Sequence, residues 1–581
     1  MSTTINTALV RIQPWTEDDL SLLRLLNAPD MMEHLGGPET EEQLLVRHKR
    51  YVNRDGQLTG KMFSIVLLPD QIRVGSIGYW DRVWQGENVY EVGWSVLPPF
   101  QGKGIASAAL SSVVTLINKE RRHKFIHAYP SVDNPASNAI CRKLGFSLQA
   151  ECVFEYPPGH FMHSNDWRLE VSTERFPIQA VREQFPALQR TYNGKQVVYL
   201  DGPGGSQVVK ASMDAIYSYM ANGGANLHGS FPTSKETETI LADAKQAVAD
   251  LFQAKPQEVA FGANMTTLTF AIARALGRHW KEGDELIVSE LDHRANVDPW
   301  LTVAADRGMT VRWLKVNRET LTLQIDELDT LLTSRTKLIA VGLASNAIGT
   351  INDLAAISHK ARAKGVIVAV DAVHAVPHLS IHRDEIGADI LLCSAYKFFG
   401  PHVGIAVIRK EIFEALDVYK LVPAPASYPD KLETGTQNHE GIAGIRPAIE
   451  LIASLGSGDT FIEQIRSGYE AIEAYENQLA EKLRKALGGM KGVTLYQAKD
   501  DVAKTPTIAF RIEGFTPQQV CEQLCEKHSI FVADGDFYAT TLANCLGIHD
   551  SGGWIRAGLA PYNTNEEIER LVEGIKEIVG E

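Results

Sequence analysis

The sequence predicts an α/β protein of more than one domain, on three observations. Strand-length apolar runs alternate with helical patterns through the larger, C-terminal part of the chain, as in a parallel sheet covered on both faces. Strands repeatedly hand over to helices through glycine-rich or small polar turns. A chain of 581 residues also exceeds what one hydrophobic core organises. The periodicity lapses between Arg175-Phe176-Pro177 and Pro186-Ala187-Leu188-Gln189 and then restarts, which puts a boundary near residue 177.

Composition narrows the class. With 44% hydrophobic and 22% charged residues the chain reads as an ordinary globular protein. A formal net charge of −14 argues against a nucleic-acid backbone as partner. The six cysteines (Cys141, Cys152, Cys393, Cys521, Cys525 and Cys545) are scattered, unlike a disulfide framework or a zinc site. Met1-Ser2-Thr3-Thr4-Ile5-Asn6 lacks the basic and apolar regions of a signal peptide, and no uncharged apolar run reaches spanning length. The expected address is the cytoplasm, with small-molecule substrates and no membrane.

In chain order, Ala8-Leu9-Val10-Arg11-Ile12 reads as a first strand and Thr16 as the N-cap of a helix opened by Glu17, Asp18 and Asp19. Residues 63–68 and 74–80, separated by Pro69-Asp70, read as a hairpin. From Val89 to Val96 the residues alternate. Tyr90, Val92, Trp94 and Val96 share one face, so Glu91 points away from it. That strand runs into Gln101-Gly102-Lys103-Gly104-Ile105-Ala106 and a helix over 107–120, a turn suited to a pyrophosphate. Asn134-Pro135-Ala136-Ser137 starts a further helix, which ends at Lys143-Leu144-Gly145-Phe146 with glycine as C-cap.

Gln101-x-x-Gly104-x-Ala106 between a strand and a helix resembles the acetyl-CoA signature of the GNAT N-acyltransferase superfamily, and the helix begun by Asn134 resembles a second motif of that superfamily. The resemblance implies a GNAT α+β domain with a mixed sheet over residues 1–176. In it Gln101, Gly102, Gly104, Ala106 and Asn134 would hold acetyl-CoA as cosubstrate. An amine would attack the acetyl group directly, with Glu91 taking the ammonium proton and Ser137 protonating the departing thiolate.

Further on, residues 366–371 read as a buried strand ending in Asp371, and 389–394 as another, followed by Ala395-Tyr396-Lys397-Phe398-Phe399-Gly400-Pro401. An acid at one strand end and a lysine at the next suit pyridoxal phosphate (PLP), which needs a lysine for its aldehyde and an anion beside its pyridine nitrogen. Residues 197–201 read as a strand leading through Gly202-Pro203-Gly204-Gly205 to a helix over 206–220, and 235–252 as a long helix. Residues 258–261 lead through Gly262-Ala263-Asn264-Met265-Thr266-Thr267 into another helix, a second phosphate-type cradle. Strands at 285–288, 310–313 and 338–341 complete the alternation, with ligands expected at the carboxyl ends.

The ordered set Asp292-His293-Arg294-Ala295-Asn296, Ala344-Ser345-Asn346-Ala347, Asp371-Ala372-Val373-His374, Lys397 and Trp554-Ile555-Arg556-Ala557 resembles the class V, fold type I PLP enzymes, in their cysteine desulfurase-like group, over about residues 185–581. The resemblance implies a large, mostly parallel α/β sheet domain and a smaller α+β C-terminal subdomain from about residue 445. It places His293 over the cofactor ring, Asn346 near its phenolic oxygen, Asp371 at its pyridine nitrogen and Lys397 as covalent anchor. His374 joins the cofactor contacts, where desulfurases usually carry glutamine. Met265, Thr266 and Ser394 form the phosphate cup. Thr436, in Gly435-Thr436, matches a loop that reaches the neighbouring subunit's phosphate, which implies a homodimer. Arg556 would grip the substrate α-carboxylate.

The chain departs from that pattern in residues 532–540, the loop on which desulfurases carry the sulfur-accepting cysteine. Tyr538 stands at the cysteine position, and a phenol accepts no sulfur as persulfide. Tyr396 replaces the histidine before the lysine, and Ala533 an arginine near the loop. The expected activity is therefore a lyase eliminating the β-substituent of an amino acid such as a cysteine derivative, with Tyr538 as candidate proton donor. Transamination, epimerisation, desulfuration through Cys545, and one half acting as a binding module are the alternatives. PLP chemistry needs a free α-amine, so the fusion does not pass an α-N-acetylated substrate to the second site.

Overall fold

The computed structural model describes residues 10–33, 37–52, 60–67, 71–120, 122–156, 159–171 and 176–580. Its contacts divide the chain into two units, residues 1–174 and 175–581. Met1–Asn6, Ala8-Leu9, Leu68, the Pro69-Asp70 turn and Arg175 lie outside the described residues.

The first unit is built on a seven-stranded sheet. Its strands are β1 (Val10–Pro14), β2 (Lys61–Leu67), β3 (Ile72–Trp84), β4 (Glu87–Val96), β5 (Phe125–Ala128), β6 (Ser147–Glu155) and β7 (Phe161–Glu170), with β6 at the edge beyond β7. All pairs are antiparallel except β4 with β5. That ladder holds only Tyr90↔Ile126 and Glu91↔His127, after which β4 runs on to Val96 without β5. One face packs against the helix Ile105–Glu120, whose Ile105, Ala109, Val113 and Ile117 recur every fourth residue and meet Ile77, Tyr90, Val92 and Ile126 in one core. Thr16 donates from its N–H and hydroxyl to Asp19 Oδ2, at 2.8 and 3.1 Å, at the start of the first helical segment. Asn134 Oδ1 accepts from Ser137 N–H at 3.0 Å, and the helix Pro135–Lys143 closes on Gly145, at φ +80°, with Phe146 N–H donating to Cys141 O.

The second unit holds a seven-stranded sheet in the order Val259–Gly262, Gly404–Ile408, Ile390–Ser394, Ile367–Asp371, Thr336–Gly342, Glu285–Ser289, Thr310–Leu314. Gly404–Ile408 runs antiparallel to both neighbours, and the other pairs are parallel. The sequence reading misses this strand, a five-residue run close behind the lysine turn. A second correction concerns the helix expected from Ser206, which begins at Lys210. Residues 206–209 stay extended because Ser206 and Val209 donate their N–H groups to Tyr396 O and Phe399 O, bracing the lysine turn. A smaller antiparallel sheet (Val493–Tyr496, Thr507–Ile512, Trp554–Gly558, Ala533–Gly535) shares a core with the helices Phe461–Gly488, Pro517–His528 and Asn565–Val579. Val198–Tyr199 joins this region by pairing with Ile530–Phe531. No helix among the described residues is long and apolar enough to cross a membrane.

Candidate active sites

The carboxyl ends of the parallel strands gather the polar residues of the larger unit. Asp371 ends one strand in register with Gly342 of its neighbour, and Ser394 ends the next. Asp371 Oδ1 accepts from Val373 N–H at 2.9 Å. Burial, reinforced by the charge of Asp292, raises its pKa to about 7. Asp292 accepts from Ser289 Oγ, Asn296 Nδ2 and Gly342 N–H at 2.6, 2.8 and 2.9 Å, yet burial still lifts it to about 6.

Lys397 closes the short turn Ala395–Lys397 after that strand. Its Nζ donates to Pro203 O and lies 4.7 Å from the Tyr396 ring centroid. Burial, with the Arg556 guanidinium nearby, lowers its pKa to about 8. Phe399, two residues on, sits at φ +69°, a strain of about 1–3 kcal/mol for a bulky residue, with its N–H bound by Ser206 Oγ at 2.8 Å. Ser394 Oγ accepts from Met265 N–H at 3.0 Å, at the N-terminus of the helix Met265–Gly277, and Asn264 Oδ1 caps that helix through Thr267 N–H at 2.9 Å. Thr266 is exposed on the first turn. The partial positive charge of a helix start is thus aimed along the edge that carries Lys397.

His293 Nδ1 accepts from Ala295 N–H at 2.9 Å, so Nε2 carries the ring proton. Burial, then the charges of Lys397 and Arg556, push its pKa down to about 4 and keep it neutral. Asn346 Nδ2 donates to Phe537 O at 2.8 Å. Arg556 donates to Asn346 O at 2.9 Å and to Asp201 Oδ1 at 3.1 Å, and its guanidinium lies 3.7 Å over the Phe537 ring. Asn346 Oδ1 and Arg556 Nε are buried without a hydrogen-bond partner among the described residues. His374 is buried, with Nε2 within hydrogen-bond distance of Thr505 and Thr507 hydroxyls at 3.0 and 3.1 Å, and burial lowers its pKa well below the ordinary value. It ties the Asp371 strand end to the smaller sheet.

Lys397 therefore lies within reach of the charges of Asp371 and Arg556, His293 within reach of those of Lys397 and Arg556, and Asn346 touches Arg556. Thr436 is exposed and, among the described residues, makes no hydrogen bond to them. Tyr538 is 68% exposed, with its ring 5.3 Å from that of His293. It and Phe537 take φ values of +56° and +52°, held where Arg294 N–H donates to Tyr538 O and Asn346 to Phe537 O. Cys545 ends the helix Thr540–Cys545 beside Glu290 and Arg318, and burial raises its thiol pKa. Sequence reasoning overlooked Asp201, Pro203, Asp292 and Phe537. The signal for Asp201 is the same as for Asp371, a carboxylate closing an apolar strand.

In the smaller unit, Gly102 and Gly104 take φ values of +72° and +83°, and a Cβ on either would meet nothing within 4 Å, so the turn before the helix Ile105–Glu120 presents open backbone. Gln101 Nε2 donates to Val96 O at 2.7 Å, tying that turn to the end of β4, and Ala106 lies in the first helical turn. Asn134 spends its side-chain oxygen on the cap, and Ser137 is half-buried in the first turn of that helix. Glu91 leaves the helix-packed face as the alternation predicts, but it is not a solvated carboxylate. It is 6% exposed and accepts from Arg82 Nη1 at 2.6 Å, beneath a guanidinium that lies 4.3 Å from the Phe154 ring centroid.

Comparison with known proteins bears on both units. The aminotransferase class-V family model matches residues 198–571, and the acetyltransferase (GNAT) domain model residues 10–147. The aminotransferase-like protein FGM3 of Gibberella zeae is 32% identical over 419 residues, which are 70% of this chain and 100% of that protein. A cysteine desulfurase of Yersinia pseudotuberculosis is 30% identical over 421 residues, 69% of this chain and 98% of that one. Among solved structures, the cysteine desulfurase CsdA of Escherichia coli, in an S-sulfonic acid form, superposes with a TM-score of 0.61 at 27% identity over 70% of this chain and 99% of that one. The apo cysteine desulfurase of Thermococcus onnurineus NA1 gives 0.62 at 26%, over 70% and 99%.

Proposed function

Because the chain belongs to the aminotransferase class-V family and carries a GNAT acetyltransferase domain ahead of that region, we propose that its larger unit is a PLP-dependent lyase of amino acids and its smaller unit an acetyl-CoA-dependent N-acetyltransferase. PLP is the cofactor expected of the family, and the residues at the strand ends fit it. When bound, it supplies an aldehyde with which amines condense and an electron-withdrawing ring that acidifies the substrate Cα–H.

The chain's own groups then divide the work. Asp371, a half-buried carboxylate with no cationic side chain bonded to it among the described residues, would accept a hydrogen bond from the protonated pyridine nitrogen and so keep that nitrogen protonated. His293 covers the ring as a neutral imidazole and adds no competing charge. The helix start at Met265 and Thr266, with Ser394, takes the phosphate, and Asn346 and His374 border the ring. Arg556 presents a buried donor, Nε, to the substrate carboxylate. Lys397, with a pKa near 8, is partly free base at neutral pH and takes the Cα proton. Thr436 would complete the phosphate site across a homodimer.

Tyr538 carries the choice of lyase. A phenol beside His293 holds no sulfur, and Cys545 sits instead against Glu290 and Arg318 with a raised thiol pKa. Cleavage of the bond to the β-substituent thus ends in release, with the phenol protonating the leaving group. The test is product analysis of the PLP-loaded full chain with a panel of β-substituted amino acids, cysteine derivatives included. Pyruvate with ammonia is expected, falling about 10–100-fold in Tyr538→Phe. A protein persulfide on Cys545, pyridoxamine phosphate, or solvent deuterium at Cα without elimination would each replace the lyase reading by desulfuration, transamination or epimerisation.

A further inference from the structure

On the smaller unit's sheet, the face opposite the helix-packed core holds a second set of buried polar side chains. Cα partners in register share a face, so Trp80 with Glu91, Glu91 with His127, and His127 with Arg168 lie on one side, together with Arg82 and Asp166 two residues along their strands. His127 Nδ1 meets Asp166 Oδ1 at 2.6 Å, and Asp166 Oδ2 accepts from Trp84 Nε1 at 2.9 Å. His127 and Asp166 are 5% and 3% exposed. The carboxylate can only accept from the ring, so Nδ1 carries the proton and Nε2 is the free lone pair. Among the described residues nothing hydrogen-bonds to Nε2. The Tyr129 ring stacks on that of His127 at 5.8 Å, and its hydroxyl is buried with no partner among the described residues.

The position matters as much as the pair. Glu91↔His127 is the last rung before β4 and β5 part, so His127 stands at the opening between them. Its neighbour Glu91, the proton acceptor expected from sequence, is committed to a charge-assisted bond with Arg82. We propose that His127, held by Asp166, is the proton acceptor for the amine that this unit acetylates, a proposal that rests on the acetyltransferase reading above. The acceptor arrives as an ammonium ion and gives one proton to His127 Nε2, where Asp166 steadies the new positive charge. Its lone pair forms the N–C bond to the acetyl carbonyl carbon. The C–S bond breaks, and the thiolate leaves with the second amine proton, relayed by the Ser137 hydroxyl. Glu91 and Arg82 lie beside His127 on the same face of the sheet.

Two measurements on the full-length chain test this. In a sample labelled with ¹⁵N-histidine, His127 is expected as the Nδ1–H tautomer, and Asp166→Asn is expected to abolish that preference. Transfer from acetyl-CoA to free amino acids, polyamines and a short peptide, followed by thiol release, is expected to fall at least about 100-fold in kcat for His127→Gln, with the KM for acetyl-CoA unchanged. Glu91→Gln is expected to lose about tenfold or less. An Nε2–H tautomer in the wild type, or His127→Gln turning over within about threefold of wild type, overturns the proposal. A wild type that neither binds acetyl-CoA in calorimetry nor releases thiol overturns the acetyltransferase reading itself, and the role of His127 with it.

Discussion

On the proposed reading two demands oppose each other at Asp371, since the cofactor would need an anion where burial disfavours one. Its folded pKa of about 7 exceeds the ~3.9 of an unfolded aspartate, so the folded state holds the proton more tightly. Stability of the cofactor-free protein contributed by this group is therefore greatest below about pH 4 and is lost as pH rises towards 7. At pH 8, Asp371→Asn should stabilise the cofactor-free protein by about 2 kcal/mol while weakening PLP binding, which thermal melts with and without PLP would show. A variant less stable than wild type in both melts would contradict this. Lys397 and Asp371 are legible in the sequence because each ends a local apolar run. Asp201 closes an apolar strand in the same way, but what it and Pro203 hold is not legible, because their partners Arg556 and Lys397 lie 355 and 194 residues away along the chain.

At the scale of elements, the strand Gly404–Ile408 does more than complete the sheet. A Cβ on Gly404 would lie 2.4–2.6 Å from the backbone of Asn264, whose side chain caps the helix proposed to take the phosphate. Gly404→Ala should therefore push that helix start aside, costing about 1–3 kcal/mol of stability and lowering PLP affinity at least tenfold, as a cofactor titration would measure. Unchanged affinity would separate the helix start from the phosphate site. The strand itself escapes a reading by strand–helix alternation because no α-helix separates it from Ile390–Ser394. The extended residues 206–209 escape it too, since no glycine or proline parts them from the helix that follows and only hydrogen bonds to the distant lysine turn hold them out of it. By contrast, the alternation of β4 and the cap at Asn134 are local patterns, and the structure follows both.

At the scale of the whole molecule, the two units carry separate hydrophobic cores, one around Tyr90 and Ile117 and another around Val370 and Ile405. Calorimetry of the full chain should resolve two transitions, PLP raising one and acetyl-CoA the other, by about 2.7 kcal/mol when the ligand is at 100 times its Kd. A single transition raised by both would mean that the units melt as one. The fusion is readable from sequence because each half carries several spaced motifs of its own. Half-buried ion pairs such as Arg82 with Glu91 are not, since they depend on which face of a sheet is covered.

The claim on which the rest depends is that Lys397 carries the cofactor. Borohydride reduction of the PLP-loaded protein, followed by peptide mass spectrometry, tests it directly. The expected result is one reduced phosphopyridoxyl group on the peptide containing Lys397, and none in Lys397→Ala. A stable adduct on another lysine, or a Lys397→Ala protein that keeps wild-type colour and turnover, would contradict it.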